Sequence, residues 1–284
     1  MSETPSTWLA PAKLNLFLHI TGRRDDGYHL LQTVFQLLDV GDELEFTVTD
    51  DANISRSNDI EGVPAEQDLV VKAAKLLQAT GQTSQGVRIT LNKKLPMGGG
   101  LGGGSSDAAT TLVALNKLWQ LGLDRQALIK LALKLGADVP VFVNGYSAWA
   151  EGIGEKLEPI ALSESLGQRH YLVVTPDCHI STMELFAASE LTRNCPPITI
   201  AEFFRGTGIN VFESVVARYY PAVLEALAWL SDFGKPRMTG TGASVFVSFD
   251  EVAAAHEVLS KVPDKWRAFV AKGVDVSPLQ AHIS

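Results

Sequence analysis

The chain has 284 residues, of which 46% are hydrophobic and 20% are charged. This length predicts about two domains of ordinary size, and the apolar content supplies their cores and excludes a disordered chain. The formal net charge is −8, and no local run of lysine and arginine offsets it. A protein that coats nucleic acid needs a basic face to displace counterions, so nucleic acid is not an expected partner.

The cysteine content and the N-terminus point to one compartment. Cys178 and Cys195 are too few for a disulfide framework and lack the CxxC spacing of a zinc site. Residues 1–6 have neither the basic nor the apolar stretch of a secretory signal. No apolar run approaches the roughly 20 residues that span a bilayer. We therefore expect a soluble, cytoplasmic protein with reduced thiols and no membrane partner.

Hydrophobic periodicity predicts alternating strands and helices in the first half of the chain. The predicted strands are 14–20, 44–48, 87–91, Val139–Val143 and Ser147–Ala150. The last two are predicted to form a hairpin, because Asn144-Gly145 between them is a turn signal. The predicted helices are Asp68–Thr80, which Gly81 ends, Ala108–Leu121, and a helix that Asp124 caps and that runs to Leu135.

A polar, turn-rich stretch, Glu158–Arg169, separates the two halves. We place the domain boundary there, with one domain at 1–160 and a second at 161–284. In the second half, the predicted strands are Tyr171–Val174, Val245–Phe249 and Phe269–Val276. The predicted helices are Pro221–Ser231 and Glu251–Val262. This alternation favours an α+β fold with an antiparallel sheet covered by helices.

The most informative segment is a glycine loop with six glycines in the seven positions 98–104. Glycine lets backbone N–H groups turn towards a ligand, and a helix start adds unpaired N–H groups and partial positive charge. A polyphosphate is therefore the expected ligand, with Ser105 and Ser106 adding hydroxyls to phosphate or to Mg²⁺. A flexible linker is disfavoured because the segment lies between a strand and a helix.

Three better-known motifs do not account for the glycines. A P-loop requires Gly-Lys-Ser/Thr, and Gly234-Lys235 is followed by Pro236. The spacing Gly98-x-Gly100-x-x-Gly103 fits a Rossmann fingerprint, but Asp124, the acid about 20 residues on, is predicted to cap a helix instead of ending a strand. Asp232-Phe233-Gly234 has no accompanying His-Arg-Asp loop.

A second glycine cluster, Thr239-Gly240-Thr241-Gly242-Ala243-Ser244, precedes a predicted strand. By itself it is compatible with a tight turn. Together with the first loop, it is also compatible with a phosphate-bearing substrate held between two domains.

Pro96, the glycine run and Ser105-Ser106 before a helix resemble the ATP loop of the GHMP kinases. Further segments resemble, in the same order, the members of that family that act on 4-diphosphocytidyl-2-C-methyl-D-erythritol (CDP-methylerythritol). They are Pro11–Leu16, Gly22–His29, Gly136–Pro140, Thr239–Ser244 and Val276–Leu279. The resemblance implies transfer of the ATP γ-phosphoryl group, with Mg²⁺, to the 2-hydroxyl of this small-molecule substrate in the non-mevalonate pathway to isoprenoid precursors. It implies a GHMP kinase fold, with an N-terminal domain like ribosomal S5 domain 2 and a ferredoxin-like C-terminal domain.

Two charged residues are the predicted catalytic pair. Asp138 lies between Gly136 and an apolar segment, and Lys13 interrupts an apolar strand. Considered by themselves, they are compatible with a turn aspartate and a lysine whose charge reaches solvent. The resemblance implies that they meet, with Asp138 as the base and Lys13 keeping it ionised.

The resemblance also implies the ligand contacts. The ATP contacts are Leu69, Val70 and Lys94 around adenine, and Pro96, Met97, Gly98, Gly99, Gly100, Leu101, Gly102, Gly103, Gly104, Ser105 and Ser106 along the phosphates. The substrate contacts are Asn15, Tyr28, His29, Thr182, Phe186, Thr239, Gly240, Thr241 and Gly242. Tyr28 would stack on cytosine opposite Phe186, for which core packing is the alternative, and His29 would bind the polar edge of the base.

Two acidic residues are left out of the predicted site. Relatives often carry Asn where this chain has Asp68, and Asp107 is interpreted as a favourable charge at a helix N-terminus. The sequence identifies neither the Mg²⁺ ligands nor the oligomeric state. The alternative functions are an NAD-dependent oxidoreductase, using the Gly98–Gly103 spacing, and a nucleotide-binding module without catalysis, which would have no use for Lys13 and Asp138.

Overall fold

The computed structural model describes residues 5–283. Within that range the chain forms ten β-strands and ten α-helices. The strands are β1 (Ser6–Arg23), β2 (His29–Thr49), β3 (Ile54–Arg56), β4 (Gly86–Asn92), β5 (Ala148–Gly152), β6 (Lys156–Pro159), β7 (His170–Thr175), β8 (Arg237–Met238), β9 (Val245–Phe249) and β10 (Arg267–Val274). The helices are α1 (Leu69–Gly81), α2 (Gly103–Leu118), α3 (Arg125–Leu135), α4 (Val139–Asn144), α5 (Leu162–Leu166), α6 (Thr182–Ala187), α7 (Ile200–Phe204), α8 (Glu213–Tyr219), α9 (Pro221–Leu230) and α10 (Val252–Leu259).

One sheet runs through both halves of the chain. Its main path is β3-β4-β2-β10-β7-β9-β8, and β1 and β5 also pair with β2. Apart from the short parallel pair β3–β4, the pairing among these strands is antiparallel. The strand β10 pairs with β2 on one side and with β7 on the other, so it joins the two halves.

The long hairpin of β1 and β2 and the central helix α2 position the site. The hairpin pairs from Ser6↔Phe46 to Arg23↔His29, with register shifts next to Lys13 and after Asn15. Helix α2 is buried continuously from Ser106 to Asn116, because α1, α3, α4 and β1 surround it. The N-terminus of α2 lies at the cleft between the two halves, where Gly102 and Ser105 line a cavity together with Thr182 and Gly240.

Three hydrophobic clusters hold the two halves together. The first lies under α1, α2 and α4, and the second lies in the C-terminal half but includes Leu18 and Ile20 of β1. The third spans both halves, with Phe17 and Tyr171 among its members. Beyond β10 the chain returns to the N-terminal half, where Leu279 enters the first cluster. The domain boundary near residue 160 stays a prediction.

The predicted hairpin around Asn144-Gly145 is wrong. Val139–Val143 forms the helix α4, with Pro140 in its first turn, and Gly145 ends that helix in the left-handed conformation at φ +70°. A five-residue apolar run fits a buried strand and a buried helix equally well. Proline at the start and glycine after the end are helix signals, and here they outweigh the turn pair.

The helix after the glycine loop begins earlier than predicted, at Gly103 instead of Ala108. Both serines therefore lie in its first turn. The remaining predicted strands and helices are confirmed, although β1 and β2 extend well beyond the alternating segments that indicated them. Within residues 5–283, none of the helices has the length and apolar character needed to cross a bilayer.

Candidate active site

The glycine loop is shaped by close backbone contacts that only glycine permits. Gly100 has φ +75°, and a Cβ there would lie 2.3 Å from the carbonyl oxygen of Thr239. Gly102, the N-cap of α2, has φ +74°, and a Cβ there would lie 2.8 Å from the ring of Phe142. A side chain at either position would thus be strained and also obstructed.

The second glycine cluster holds the first in place. The hydroxyl of Thr239 donates to Gly100 O at 3.2 Å and accepts the N–H of Asn15 at 2.9 Å. The N–H of Ser244 donates to Gly99 O at 3.2 Å. Thr239 is fully buried in these contacts, so its hydroxyl fixes the loop and is not exposed to a substrate.

Lys13 and Asp138 come together from the two ends of the N-terminal half. The Nζ of Lys13 lies 3.3 Å from Oδ2 of Asp138, donates to Asn15 Oδ1 at 2.6 Å, and donates to Gly100 O at 3.0 Å. The Lys13 side chain is 3% exposed and that of Asp138 is 39% exposed. Asp138 precedes α4 but caps no N–H with its side chain, so its carboxylate remains available to a substrate.

A pocket of about 370 Å³ lies against one side of the glycine loop. Most of the predicted ATP contacts line it: Leu69, Pro96, Met97, Gly98, Gly99, Gly100, Leu101, Gly102, Gly103, Gly104 and Ser105. Three do not. Val70 is fully buried in the first cluster, and the Ser106 hydroxyl is buried, with no hydrogen-bond partner among the described residues. Lys94 turns away, and its Nζ lies 2.5 Å from Glu43 Oε1.

The pocket also contains charged residues outside the predicted ATP contacts. Lys93 lines it in place of Lys94, and Asp68 and Asp107 line it too. Asp68 caps α1 through Val70 N–H, and its other oxygen pairs with Arg56. Alternation along β4 could have identified Lys93, because Ile89 and Leu91 on the same face are buried. No local pattern indicates Arg56.

A second cavity, of about 340 Å³, opens on the Lys13–Asp138 pair. Its lining includes the predicted substrate contacts Asn15, Thr182, Phe186, Gly240 and Thr241. Gly100, Gly102 and Ser105 line it as well, so the glycine loop forms a wall of both pockets. Gly242 is not in the lining and faces Met238 and Ile180.

This cavity continues into an aromatic pocket. His29 stacks on Phe186 with ring centroids 4.9 Å apart, and Tyr28 beside them is 62% exposed. Phe186 also packs edge-on against Phe212, so this residue both lines the cavity and packs against the core. Burial lowers the pKa of His29, and Arg193 lowers it further. Both effects favour the neutral ring, and its buried Nε2 has no partner among the described residues.

The observed fold does not support the dinucleotide alternative. The carboxylate of Asp124 accepts Ala127 N–H as the N-cap of α3, and β4, which precedes the glycine loop, is antiparallel to β2. A Rossmann site requires a parallel sheet with the acid at a strand end.

Comparison with known proteins identifies two family models along the chain. The GHMP kinases N terminal domain matches residues 68–146, and the GHMP kinases C terminal domain matches residues 187–268. The first match covers the glycine loop and Asp138.

Related sequences align with this chain over almost its full length. The chain is 56% identical over 272 residues to the 4-diphosphocytidyl-2-C-methyl-D-erythritol kinase of Nitrosococcus oceani, covering 96% of each chain. It is 55% identical over 270 residues to the enzyme of the same name from Thiobacillus denitrificans, covering 95% of this chain and 96% of that one.

Solved structures of GHMP kinases are also similar to this chain over almost its full length. A crystal structure of 4-(cytidine 5'-diphospho)-2C-methyl-D-erythritol kinase superposes with a TM-score of 0.82 at 31% identity, covering 95% of this chain and 100% of the other. The mevalonate kinase of Methanococcus jannaschii, at 16% identity and a TM-score of 0.69 over 96% and 99% of the two chains, shares the fold. The chain therefore belongs to the GHMP kinases and, within them, to the 4-diphosphocytidyl-2-C-methyl-D-erythritol kinase family.

Proposed function

We propose that this chain transfers the γ-phosphoryl group of ATP to the 2-hydroxyl of CDP-methylerythritol, the reaction that serves isoprenoid precursor synthesis by the non-mevalonate pathway. The observation that carries the proposal is the position of the Lys13–Asp138 pair. It lies in a cavity lined by the glycine loop and by Phe186, and Phe186 also lines the aromatic pocket that contains Tyr28 and His29. A phosphate donor and a nucleobase-bearing acceptor would thus meet at a carboxylate.

Phosphoryl transfer depends mainly on positioning and charge stabilisation. The substrate 2-hydroxyl oxygen would bond to the γ-phosphorus while the bond from that phosphorus to the β–γ bridging oxygen breaks and ADP leaves. Asp138 would take the hydroxyl proton, since its carboxylate faces the cavity and makes no capping bond. The Lys13 ammonium, 3.3 Å from Asp138 Oδ2, would orient that carboxylate and offset negative charge on the transferred group.

The glycine loop is proposed to hold the triphosphate through its backbone N–H groups and through Ser105. Ser105 lines both the nucleotide pocket and the cavity at Lys13 and Asp138. Leu69 and Met97 would contact adenine from the walls of the nucleotide pocket, with Lys93 taking the role expected of Lys94. Ser106 and Val70 are proposed to support the loop from the core.

Mg²⁺ binding is proposed to rely chiefly on the nucleotide. Among residues 5–283 no group of three or more His, Cys, Asp or Glu side chains could hold a metal ion. Mg²⁺ is commonly bound by one or two protein oxygens together with substrate phosphates and water. A site with few protein ligands is consistent with that coordination. The Ser105 hydroxyl would hold it, and the bound ion would neutralise charge on the phosphates.

Substrate selection is proposed to reside in the aromatic pocket. The ring of His29 would bind the polar edge of cytosine, and Tyr28 and Phe186 would stack on its faces. Asn15, Thr182, Gly240 and Thr241 would contact the remainder of the substrate, while Thr239 and Gly242 are proposed to shape the loop.

The decisive experiment measures ADP release from Mg-ATP with CDP-methylerythritol, homoserine, mevalonate or no acceptor. We expect acceptor-dependent release with CDP-methylerythritol alone. Release with homoserine or mevalonate, or none with any acceptor, would contradict the proposal.

A further inference from the structure

Two side chains of the C-terminal half, Asn210 and Glu213, form a clamp on the second glycine cluster. The amide of Asn210 donates through Nδ2 to the carbonyl oxygens of Met238 and Gly240, both at 2.8 Å. The carboxylate of Glu213 accepts the N–H of Met238 at 2.8 Å. Met238 is therefore fixed through both its N–H and its C=O, immediately before the cluster begins.

The clamp is itself tied to β1. Asn210 is 8% exposed, and its Oδ1 accepts the N–H of Phe212 at 3.0 Å. Its two chain neighbours pair with β1: the N–H of Leu18 donates to Ile209 O at 2.9 Å, and the N–H of Val211 donates to Leu18 O at 3.0 Å. The amide cannot rotate without breaking these side-chain bonds, because carbonyl oxygens require a donor and the N–H of Phe212 requires an acceptor.

The clamped cluster lies directly against the proposed catalytic groups. A Cβ at Gly240 would be 3.1 Å from both the Cα and the carbonyl oxygen of Gly100. That carbonyl oxygen accepts the Thr239 hydroxyl at 3.2 Å and the Nζ of Lys13 at 3.0 Å. A movement of Gly240 would therefore displace Gly100 O, which helps to hold the ammonium beside Asp138.

The clamp also contacts the wall of the cavity without being part of it. Of the described residues that line the cavity, Leu18, Phe212 and Gly240 contact Asn210, which is not itself among them. Glu213 is likewise outside the described linings of the cavity and of the nucleotide pocket. Asn210 and Glu213 would therefore act through the backbone groups that they hold and not through contact with a ligand.

We propose that Asn210 and Glu213 are positioning residues for phosphoryl transfer. By fixing the second glycine cluster, they keep Gly100 O where it holds the Lys13 ammonium beside Asp138. Loss of the clamp leaves buried backbone groups unpaired, so the cluster will rearrange to satisfy them. A misplacement of about 1 Å can slow a reaction about 100-fold, even when the substituted residue is distant from the reacting atoms. The inference rests on the proposed function, because it takes the Lys13–Asp138 pair as the catalytic centre.

The test compares Asn210→Leu with Asn116→Leu in the full chain. Leucine has nearly the shape of asparagine but neither donor nor acceptor, so Asn210→Leu loses both bonds to the cluster. Asn116 is the matched control: it is 7% exposed, and its side chain makes two hydrogen bonds to the backbone of Leu123. We expect kcat with CDP-methylerythritol to fall about 10–100-fold in Asn210→Leu and to stay near the wild-type value in Asn116→Leu.

Two readouts separate positioning from a purely structural role. A structural role would lower the free energy of unfolding in both variants and leave kcat per folded molecule unchanged. The Kd of Mg-ADP, measured by calorimetry, should change little in Asn210→Leu, because the walls of the nucleotide pocket come from the N-terminal half. Wild-type kcat in Asn210→Leu, an equal loss of kcat in Asn116→Leu, or a loss of Mg-ADP affinity as large as the loss of kcat would overturn the proposal.

If Asn210→Leu does not fold, variants at Glu213 replace it. Glu213→Gln keeps a side-chain oxygen for the N–H of Met238, whereas Glu213→Leu removes it. We expect kcat of Glu213→Leu to be lower than that of Glu213→Gln by about fivefold or more, the equivalent of one lost hydrogen bond. Equal kcat in these two variants would overturn the proposal.

Hydrogen exchange distinguishes failure of this inference from failure of the proposed function, because it requires no phosphoryl transfer. The N–H of Asn15 donates to the Thr239 hydroxyl at 2.9 Å. This N–H should exchange with deuterium faster in Asn210→Leu than in wild type or Asn116→Leu. Unchanged exchange would overturn the positioning role even in an active kinase. Faster exchange in a protein that transfers no phosphoryl group would contradict the proposed function alone.

Discussion

The Nζ of Lys13 lies 3.3 Å from the carboxylate of Asp138, and it also donates to the carbonyl oxygen of Gly100 at 3.0 Å. One buried ammonium therefore touches both the proposed base and the backbone of the glycine loop. Because Lys13 is almost fully enclosed, its charge acts at short range and is screened little by solvent. The contacts of Lys13 therefore fix the position of the Asp138 carboxylate relative to the glycine loop.

Replacing Asp138 with asparagine keeps the shape of the side chain and removes the proton acceptor. We expect kcat to fall about 10²–10⁴-fold, as for loss of a general base, while the affinity for ATP changes little. Steady-state kinetics with both substrates varied would measure this. Asp232→Asn, on an exposed turn after α9, is the control and should retain wild-type kcat. Near-normal turnover by Asp138→Asn would remove Asp138 from the role of base.

Replacing Lys13 with methionine tests whether the pair acts as a unit. The variant loses the charge opposite Asp138 and the donor to Gly100, so we expect a loss of kcat comparable to that of Asp138→Asn. The double variant should be hardly slower than either single variant, because residues that act together give strongly non-additive effects. Two losses that multiply in the double variant would indicate independent roles.

Tyr28 offers a test of substrate recognition with little effect on stability, since its side chain is largely exposed. Tyr28→Ala should raise KM for CDP-methylerythritol by about 5–150-fold, the equivalent of ~1–3 kcal/mol of lost base stacking. KM for ATP should not change. Tyr28→Phe keeps the ring and should stay close to wild type, as should Tyr219→Ala, a similarly exposed tyrosine on α8. An unchanged KM for CDP-methylerythritol in Tyr28→Ala would contradict stacking.

Features fixed by local chemistry could be predicted from the sequence. The cap at Asp124, the start of α1 after Asp68 and the glycine loop depend on neighbouring residues and were found within a few positions. The strand prediction for Val139–Val143 is wrong because five apolar residues carry no period; the local signals that mark α4 are Pro140 at its start and Gly145 after its end.

Features that depend on distant parts of the chain could not be predicted in this way. Nothing in the spacing of Lys13 and Asp138 brings them together; β1 and α4 do so by packing around α2. The choice of Lys93 over Lys94 follows from the register of β4 on β2, which pairs Asn92 with Glu43 and leaves the Lys94 ammonium beside Glu43. Arg56 meets Asp68 because β3 pairs with β4. These are tertiary contacts, and only family resemblance anticipated the first of them.

The Arg56–Asp68 ion pair gives a prediction about stability. The two side chains are 2% and 9% exposed, so Asp68→Asn would leave a buried guanidinium without its counter-charge while preserving a helix cap. Breaking a buried pair typically costs about 3–5 kcal/mol, and we expect the free energy of unfolding in urea to fall by that order. Asp124→Asn replaces a helix cap that has no ion pair and should change stability little. Equal effects of the two substitutions would show that the ion pair contributes nothing.

The raised pKa of Asp107 makes its contribution to stability depend on pH in a definite direction. Burial raises its pKa to about 7 in the folded chain from 3.8 ordinarily, so the folded state binds this proton more tightly than the unfolded state. The stability that results is fully present below about pH 4 and is lost as the pH rises through 7. Asp107→Asn is neutral throughout. The stability of wild type relative to this variant should therefore fall by about 2–3 kcal/mol from pH 5 to pH 8, measured by urea unfolding of both proteins at each pH. The difference removes the titration of all other groups, and a value that is constant or increases with pH would mean that Asp107 is ionised throughout that range.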